Sequence, residues 1–324
     1  MNHSSSQILL EDWLSTIKRE YLERFIREGG SAVKFVAPRG TEPKRIVDAL
    51  RVAAAAARYQ FAHIDGARTR MNHIHAIFNE VARSVDWDSL AIRFLTRVLQ
   101  DGHYKLPPRG EDVRLDIVAD LNGLERADMR AETNKLLREK LFRDFSLTYD
   151  FRIAMLALCH MQFERATMDE GRTHALKDWL IGQIKLMKEI APTPIYRRIG
   201  KHNARHLLYS FAQFCYLAGD SGLVLTLDIS RISSPSRQQR EAGEISYTAP
   251  SLLESYEVLR QIVDSTDELA HCLVVVITPS DPAWEQEDIK RGLSAYQALK
   301  LRVWDDVFDR ERVNPMASLV RVKG

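Results

Sequence analysis

The chain has 324 residues, 45% of them hydrophobic, enough to bury one or two cores without staples. Lys and Arg number 46 against 44 Asp and Glu, and the formal net charge of +2 excludes a global electrostatic drive toward nucleic acid or membrane surfaces. Cys159, Cys215 and Cys272 lie far apart in apolar runs without C-x-x-C spacing, which fits buried reduced thiols and not a disulfide or zinc framework.

The first six residues are polar and lack the basic flank and apolar core of a signal peptide. No run of about 18 apolar residues occurs, so the expected compartment is the cytoplasm. Leu10, Trp13, Leu14, Ile17, Tyr21, Leu22, Phe25 and Ile26 recur at three- and four-residue steps and predict an amphipathic helix ending at Gly29-Gly30. Residues 32–36 then form a strand-like apolar run, residues 37–45 a turn, and residues 46–57 a helix.

Strand, turn and helix in that order are the setting of a P-loop, G-x-x-x-x-G-K-[ST]. Its glycines let backbone N–H groups curl around phosphates, its Lys reaches the β- and γ-phosphates, and its hydroxyl holds Mg²⁺. Gly40 and Lys44 are retained here. Ala37 stands for the first glycine, Glu42-Pro43 for the glycine before the Lys, and Arg45 for the hydroxyl. Pro43 also removes a backbone donor, and the spacing from strand to Lys is one residue longer than the motif.

Residues 59–65 predict a second strand, expected to complete a right-handed βαβ unit. Residues 71–219 are patterned almost wholly as helix and read as an insertion, with loops at 105–110 and 191–194. A helix at 204–217 delivers the chain into residues 223–228, an apolar run ending in Asp228 in the manner of a Walker B strand, whose carboxylate holds the Mg²⁺ shell. The next residue, a Glu in hydrolases of this type, is Ile229 and cannot accept a proton. Residues 230–247 predict a mobile polar loop and residues 252–263 a helix. A buried strand at 272–277 ends in Thr278, where related ATPases place a γ-phosphate sensor. A helix at 296–308 and a last strand at 318–322 follow.

These elements predict an α/β P-loop NTPase domain of AAA+ type: a parallel sheet of about five strands flanked by helices, with a large helical insertion and no C-terminal lid. The expected divisions are 1–70 for the helix and first part of the P-loop domain, 71–219 for the insertion, and 220–324 for the remainder. The candidate nucleotide-binding residues are Gly40, Lys44, Arg45, Asp228 and Thr278, and the ligand they would take is ATP or ADP with Mg²⁺. No catalytic residue and no metal site is assigned. His160 and Glu164 share a helix face, but two groups do not make a site, and His73 and His75 diverge on a helix.

Residues 25–36, residues 203–208 leading to 219–228, Arg291-Gly292 with 296–299 and Arg302, and Asn314-Pro315 together resemble the BREX-type, BrxD-like ATP-binding proteins, an AAA+-like family. The resemblance covers most of the chain. It implies an ATP-binding component of a bacterial anti-phage defence system that works with other proteins on DNA. It also implies that Lys44 is the phosphate lysine, Asp228 the Mg²⁺-shell aspartate and Thr278 the sensor. With the glycines, the hydroxyl, the glutamate and the lid all missing, the expected role is a scaffold or regulatory subunit with weak or absent ATP hydrolysis. The alternatives are an ATPase with an atypical loop and a DNA-contacting module of the same complex.

For the last of these, residues 196–206 carry Arg197, Arg198, Lys201 and Arg205 with no carboxylate, a cluster suited to DNA phosphates. Arg231, Arg237 and Arg240 extend that expectation into the polar loop. Arg310 and Arg312 stand where AAA+ proteins place an arginine finger.

Overall fold

The computed structural model describes residues 7–108, 110–164, 170–234, 236–286, 289–304 and 313–324. Chain packing divides the protein into two units, residues 1–81 with 221–324 and residues 82–220. The first begins with β1 (Ile8–Leu9) and α1 (Leu10–Thr16), which continues as a π-helical segment, Ile17–Phe25, carrying the predicted apolar stripe. Then come β2 (Ser31–Pro38), α2 (Pro43–Ala56), β3 (Gln60–Asp65) and α3 (Ile74–Arg83).

The second unit holds α4 (Trp87–Asp101), α5 (Leu115–Asn122), α6 (Arg126–Leu137) with a π-helical extension Arg138–Phe142, α7 (Tyr149–Phe163), α8 (Glu170–Leu180) and α9 (Ala204–Leu217). The chain then returns to the first unit through β4 (Leu223–Asp228), α10 (Ser236–Glu241), α11 (Ala249–Asp264), β5 (Cys272–Ile277), the 3₁₀ turn Pro282–Glu285, α12 (Gln297–Val303) and β6 (Leu319–Lys323).

Among the described residues the strands form one parallel sheet in the order β1-β6-β2-β5-β4-β3. The sixth strand, β1, is a two-residue edge against β6, too short to show a period. The helix α2 does not return β3 to the side of β2; β5 and β4 lie between them. This order brings the carboxyl ends of β2, β5 and β4 to one rim, the place where open parallel sheets bind ligands.

One face of the sheet packs Val36, Val224, Val275, Ile277 and Val320 against Ile46, Val47 and Leu50 of α2 and Trp13, Ile17 and Leu22 of the first helix. Each such side chain contributes about 1.5–3 kcal/mol when fully buried, which explains why these strands read as unbroken apolar runs. Lys34 is the exception in β2. It is buried, and its ammonium donates to the carbonyls of Met316 (2.5 Å) and Ala317 (3.3 Å) and lies 4.8 Å over the Tyr21 ring.

Two local expectations change. Residues 230–247 are not a loose loop: they contain α10, and Tyr247 is buried, its hydroxyl donating to the carbonyl of Gly66 (2.8 Å) and accepting from the Met71 amide (3.0 Å). Gln239 is buried and receives the Tyr247 amide, while Arg231 pairs with Glu244, so polar side chains fix the segment where apolar ones are few. The helix expected over 296–308 ends at Val303, and its remainder falls outside the described residues, as do Arg310 and Arg312.

In the second unit, α7 is apolar nearly all round. Phe151 packs edge-on to Phe214 of α9 at 5.6 Å between ring centroids, and Phe94 of α4 meets Phe214 at 4.9 Å. A bidentate Arg93–Asp220 pair (2.5 and 3.0 Å) secures α4 to the end of this unit. All three cysteines are buried and reduced, and burial pushes the Cys159 and Cys272 thiols up. No helix among the described residues is long and apolar enough to cross a membrane.

Candidate functional site

The loop that follows β2 is short. The strand runs on to Pro38 and α2 starts at Pro43, leaving four residues, Arg39, Gly40, Thr41 and Glu42, to turn the chain. Pro at the first helical position suits a helix start, because its missing N–H is one that would be unpaired there anyway. Gly40 takes φ +72, which favours glycine, and a methyl group there would meet nothing within 4 Å.

Lys44 and Arg45 occupy the first turn of α2 and both are exposed. Lys44 makes no hydrogen bond or ion pair among the described residues. Arg45 lies beside Gly324, where an added methyl would come within 3.0 Å of Nη1; Gly324 also approaches Gly40 and Thr41.

The most committed residue of the loop is Arg39. Its Nη1 donates to the carbonyls of Pro38 (2.9 Å) and Ser280 (2.7 Å), the latter just past β5. Its Nη2 donates to Glu285 Oε1, and Glu285 Oε2 accepts from Arg321 Nε (2.8 Å) and Nη2 (2.5 Å) of β6. The three side chains are only 8%, 8% and 13% exposed. Burial pulls the Arg39 pKa down and the Glu285 carboxylate opposes it. A buried Arg–Glu–Arg triad therefore ties the end of β2 to the 3₁₀ turn after β5 and to β6.

Across the rim, Asp228 faces Asp65 in the register of β4 and β3. Each carboxylate is engaged in its own turn: Asp228 Oδ1 accepts from the Ser230 amide and Asp65 Oδ1 from the Ala67 amide, both at 2.8 Å. Two residues inward, His63 Nδ1 lies 2.9 Å from Thr226 Oγ1. Burial holds the His63 imidazole below its usual pKa, with Asp228 and Asp65 pulling the other way. Thr278 is fully buried, and its hydroxyl makes long bonds, 3.4 Å each, to the carbonyls of Val36 and Pro279. Ile229, in the place of a catalytic Glu, is buried completely.

These residues do not fit a Mg²⁺–nucleotide centre. A guanidinium, Arg45, stands after Lys44 in place of the hydroxyl by which a P-loop ligates the ion. What the loop retains is donors: Thr41 Oγ1 and Arg39 Nε are buried without a hydrogen-bond partner among the described residues. The arrangement offers an anion cationic and hydroxyl donors.

The basic segment is divided. Arg197 and Lys201 are exposed, Arg198 donates to the Lys185 carbonyl, and Arg205 is half-buried at the start of α9. The Arg197 carbonyl accepts the Trp179 indole at 2.8 Å, so this backbone helps hold the helical unit. Arg237 pairs with Glu241 four residues on. His73 and His75 stack at 5.2 Å, and Glu164, on the His160 face, accepts from Arg130 (2.9 Å).

A family model described as BREX system ATP-binding protein BrxC/D matches residues 111–324, two thirds of the chain. The chain belongs to this BREX family. The match takes in Asp228, Thr278 and Arg321 but begins after the β2 loop, so Gly40, Lys44 and Arg45 lie outside it. No curated protein and no solved structure matches the chain. Sequence reading missed the triad because Glu285 lies 246 residues from Arg39 and 36 from Arg321, with no motif to join them. It missed His63 too, though alternation in β3 puts that residue on the same face as Asp65.

Proposed function

We propose that this BREX family member serves its system as a scaffold or regulatory subunit, a degenerate AAA+-like P-loop frame with weak or absent ATP hydrolysis, in anti-phage defence. The observation that carries this reading is the internal commitment of the rim. Arg39 is spent on Glu285 and backbone carbonyls, and both rim carboxylates close their own turns. The backbone donor lost at Pro43, and the backbone freedom lost where Ala37 stands for a glycine, are not restored by the charge of Lys44 and Arg45, because phosphate cradling depends on converging N–H groups.

Steady-state ATP hydrolysis by the full chain tests the proposal, with Mg²⁺ and in the presence of the other proteins of its system. Turnover no higher than that of Lys44→Ala and Asp228→Ala supports it; Mg²⁺-dependent turnover abolished by either substitution refutes it and favours an ATPase with an atypical loop. A DNA-contacting role is the second reading, favoured by the exposure of Arg197 and Lys201. It requires duplex binding that weakens with salt and with Arg197→Ala and Lys201→Ala.

A further inference from the structure

In the middle of α7, whose residues 151–155, 158–159 and 161–163 are buried, Leu156, Ala157 and His160 remain half-exposed. With Ile153 they fall at i, i+3, i+4 and i+7, the spacing of one helical face. This face floors a cleft of about 610 Å³ whose wall is Arg138, Phe142 and Arg143. A second cleft of about 350 Å³ shares Ile153, Leu156 and His160 and is walled by Arg172 and by Pro192, Thr193 and Pro194. The two are one trough along α7, lying wholly within the helical unit.

The lining fixes the chemistry of an occupant. The floor is aliphatic, with the small Ala157 at its centre leaving room for a large side chain. Burial holds His160 below its usual pKa, so the floor carries no charge at neutral pH. The walls bring Arg138 and Arg143 on one side and Arg172 on the other. Among the described residues the one carboxylate in the lining is Glu164, which accepts from Arg130. In the turn before α7 Phe145 is 82% exposed and at the helix's first residue Tyr149 is 46% exposed, with the Arg152 guanidinium 4.9 Å from the Phe145 ring centroid. Exposed aromatic groups beside arginine are common anchors of a protein interface.

We propose that this trough is a docking groove for an amphipathic helix of a partner protein, its apolar stripe on Ile153, Leu156 and Ala157 and its acidic flank against Arg138 and Arg143. The helix-in-groove mode needs anchors at i, i+3, i+4 and i+7, which the floor mirrors. A single-stranded nucleic acid would instead need aromatic stacking surfaces along the floor, and Ile153, Leu156 and Ala157 there are aliphatic. The groove owes nothing to the nucleotide-loop rim, so its test stands apart from that of the proposed function.

The full chain is titrated against three fluorescein-labelled helical peptides of about 20 residues, a length of about 30 Å. They share one leucine stripe and carry Glu, Gln or Lys on its flanks; labelled oligothymidylate is the fourth probe. The Glu peptide is expected to bind at least about tenfold more tightly than the Lys peptide. Ala157→Trp should weaken it about tenfold, and Arg138→Glu/Arg143→Glu should reverse the preference. Circular dichroism checks that both variants keep their helix content, and the double variant changes only surface charge. Equal binding of the three peptides, no binding of the Glu peptide, or binding indifferent to both variants overturns the proposal. So does oligothymidylate binding lost in the same variants, which would assign the groove to nucleic acid.

Discussion

Replacing Glu285 with alanine should be among the most damaging single changes in the sheet unit. The side chain is 8% exposed and accepts from both Arg39 and Arg321, themselves 8% and 13% exposed. Deleting it takes from two largely buried guanidiniums, at the end of β2 and in β6, the carboxylate they share. Breaking a buried ion pair from one side costs about 3–5 kcal/mol, against a total stability of about 5–15 kcal/mol for a domain. The same reasoning gives an opposite forecast for the triple replacement Arg39→Met/Glu285→Leu/Arg321→Met. Removing all three charges together should cost little or stabilise, because the desolvation penalty goes with them. Urea titration by circular dichroism, with hydrogen exchange read at β2 and β6, measures both. A Glu285→Ala loss below about 1 kcal/mol, the range of an exposed pair, would refute the view that the triad is a buried clamp on the rim.

Two glycines make a second test. Gly222 has φ +131, and a methyl group there would stand 2.1 Å from the His271 carbonyl, so Gly222→Ala should destabilise by more than about 3 kcal/mol, if it folds. Gly40→Ala, with φ +72 and open space, should cost only about 1–2 kcal/mol; thermal melts of the two variants compare them directly. Glu257 provides a pH signature. Hydrogen bonds from Arg260, and then from Tyr296 and Gln261, hold its carboxyl down at about 2. A depressed carboxyl contributes stability above its unfolded pKa of about 4.5 and loses it as pH falls toward 2. Glu257→Gln should therefore flatten the acid limb of the stability profile in that window, by about 1 kcal/mol once solvent screening is allowed for.

The sheet was legible in the sequence because a parallel strand buried on both faces reads as a nearly continuous apolar run, with Thr226 in β4 and Lys34 in β2 as buried polar exceptions. β4 and β5 show this, with Leu223 to Leu227 and all of Cys272–Ile277 buried. The two-residue β1 carries no period, and α10, whose six residues are all polar, has no apolar stripe to mark it as helix. The π-helical turn after Thr16 keeps the hydrophobic stripe of an α-helix, so the pattern gives the face but not the winding. At the candidate site, spacing placed Gly40, Lys44, Asp228 and Thr278 on the rim, since each lies within a few residues of a strand end. What holds the rim is set by pairing across the fold: Glu285 meets Arg39 and Arg321 only because β6 and β5 flank β2.

The central claim is that the P-loop frame persists without a working nucleotide centre. Calorimetric titration of the full chain with ATP, with and without Mg²⁺, and of Lys44→Ala in parallel, tests it most directly. The account predicts at most weak heat near millimolar nucleotide, indifferent to Mg²⁺, as retained donors without a metal ligand set would give. Micromolar, Mg²⁺-dependent binding that Lys44→Ala abolishes would contradict it.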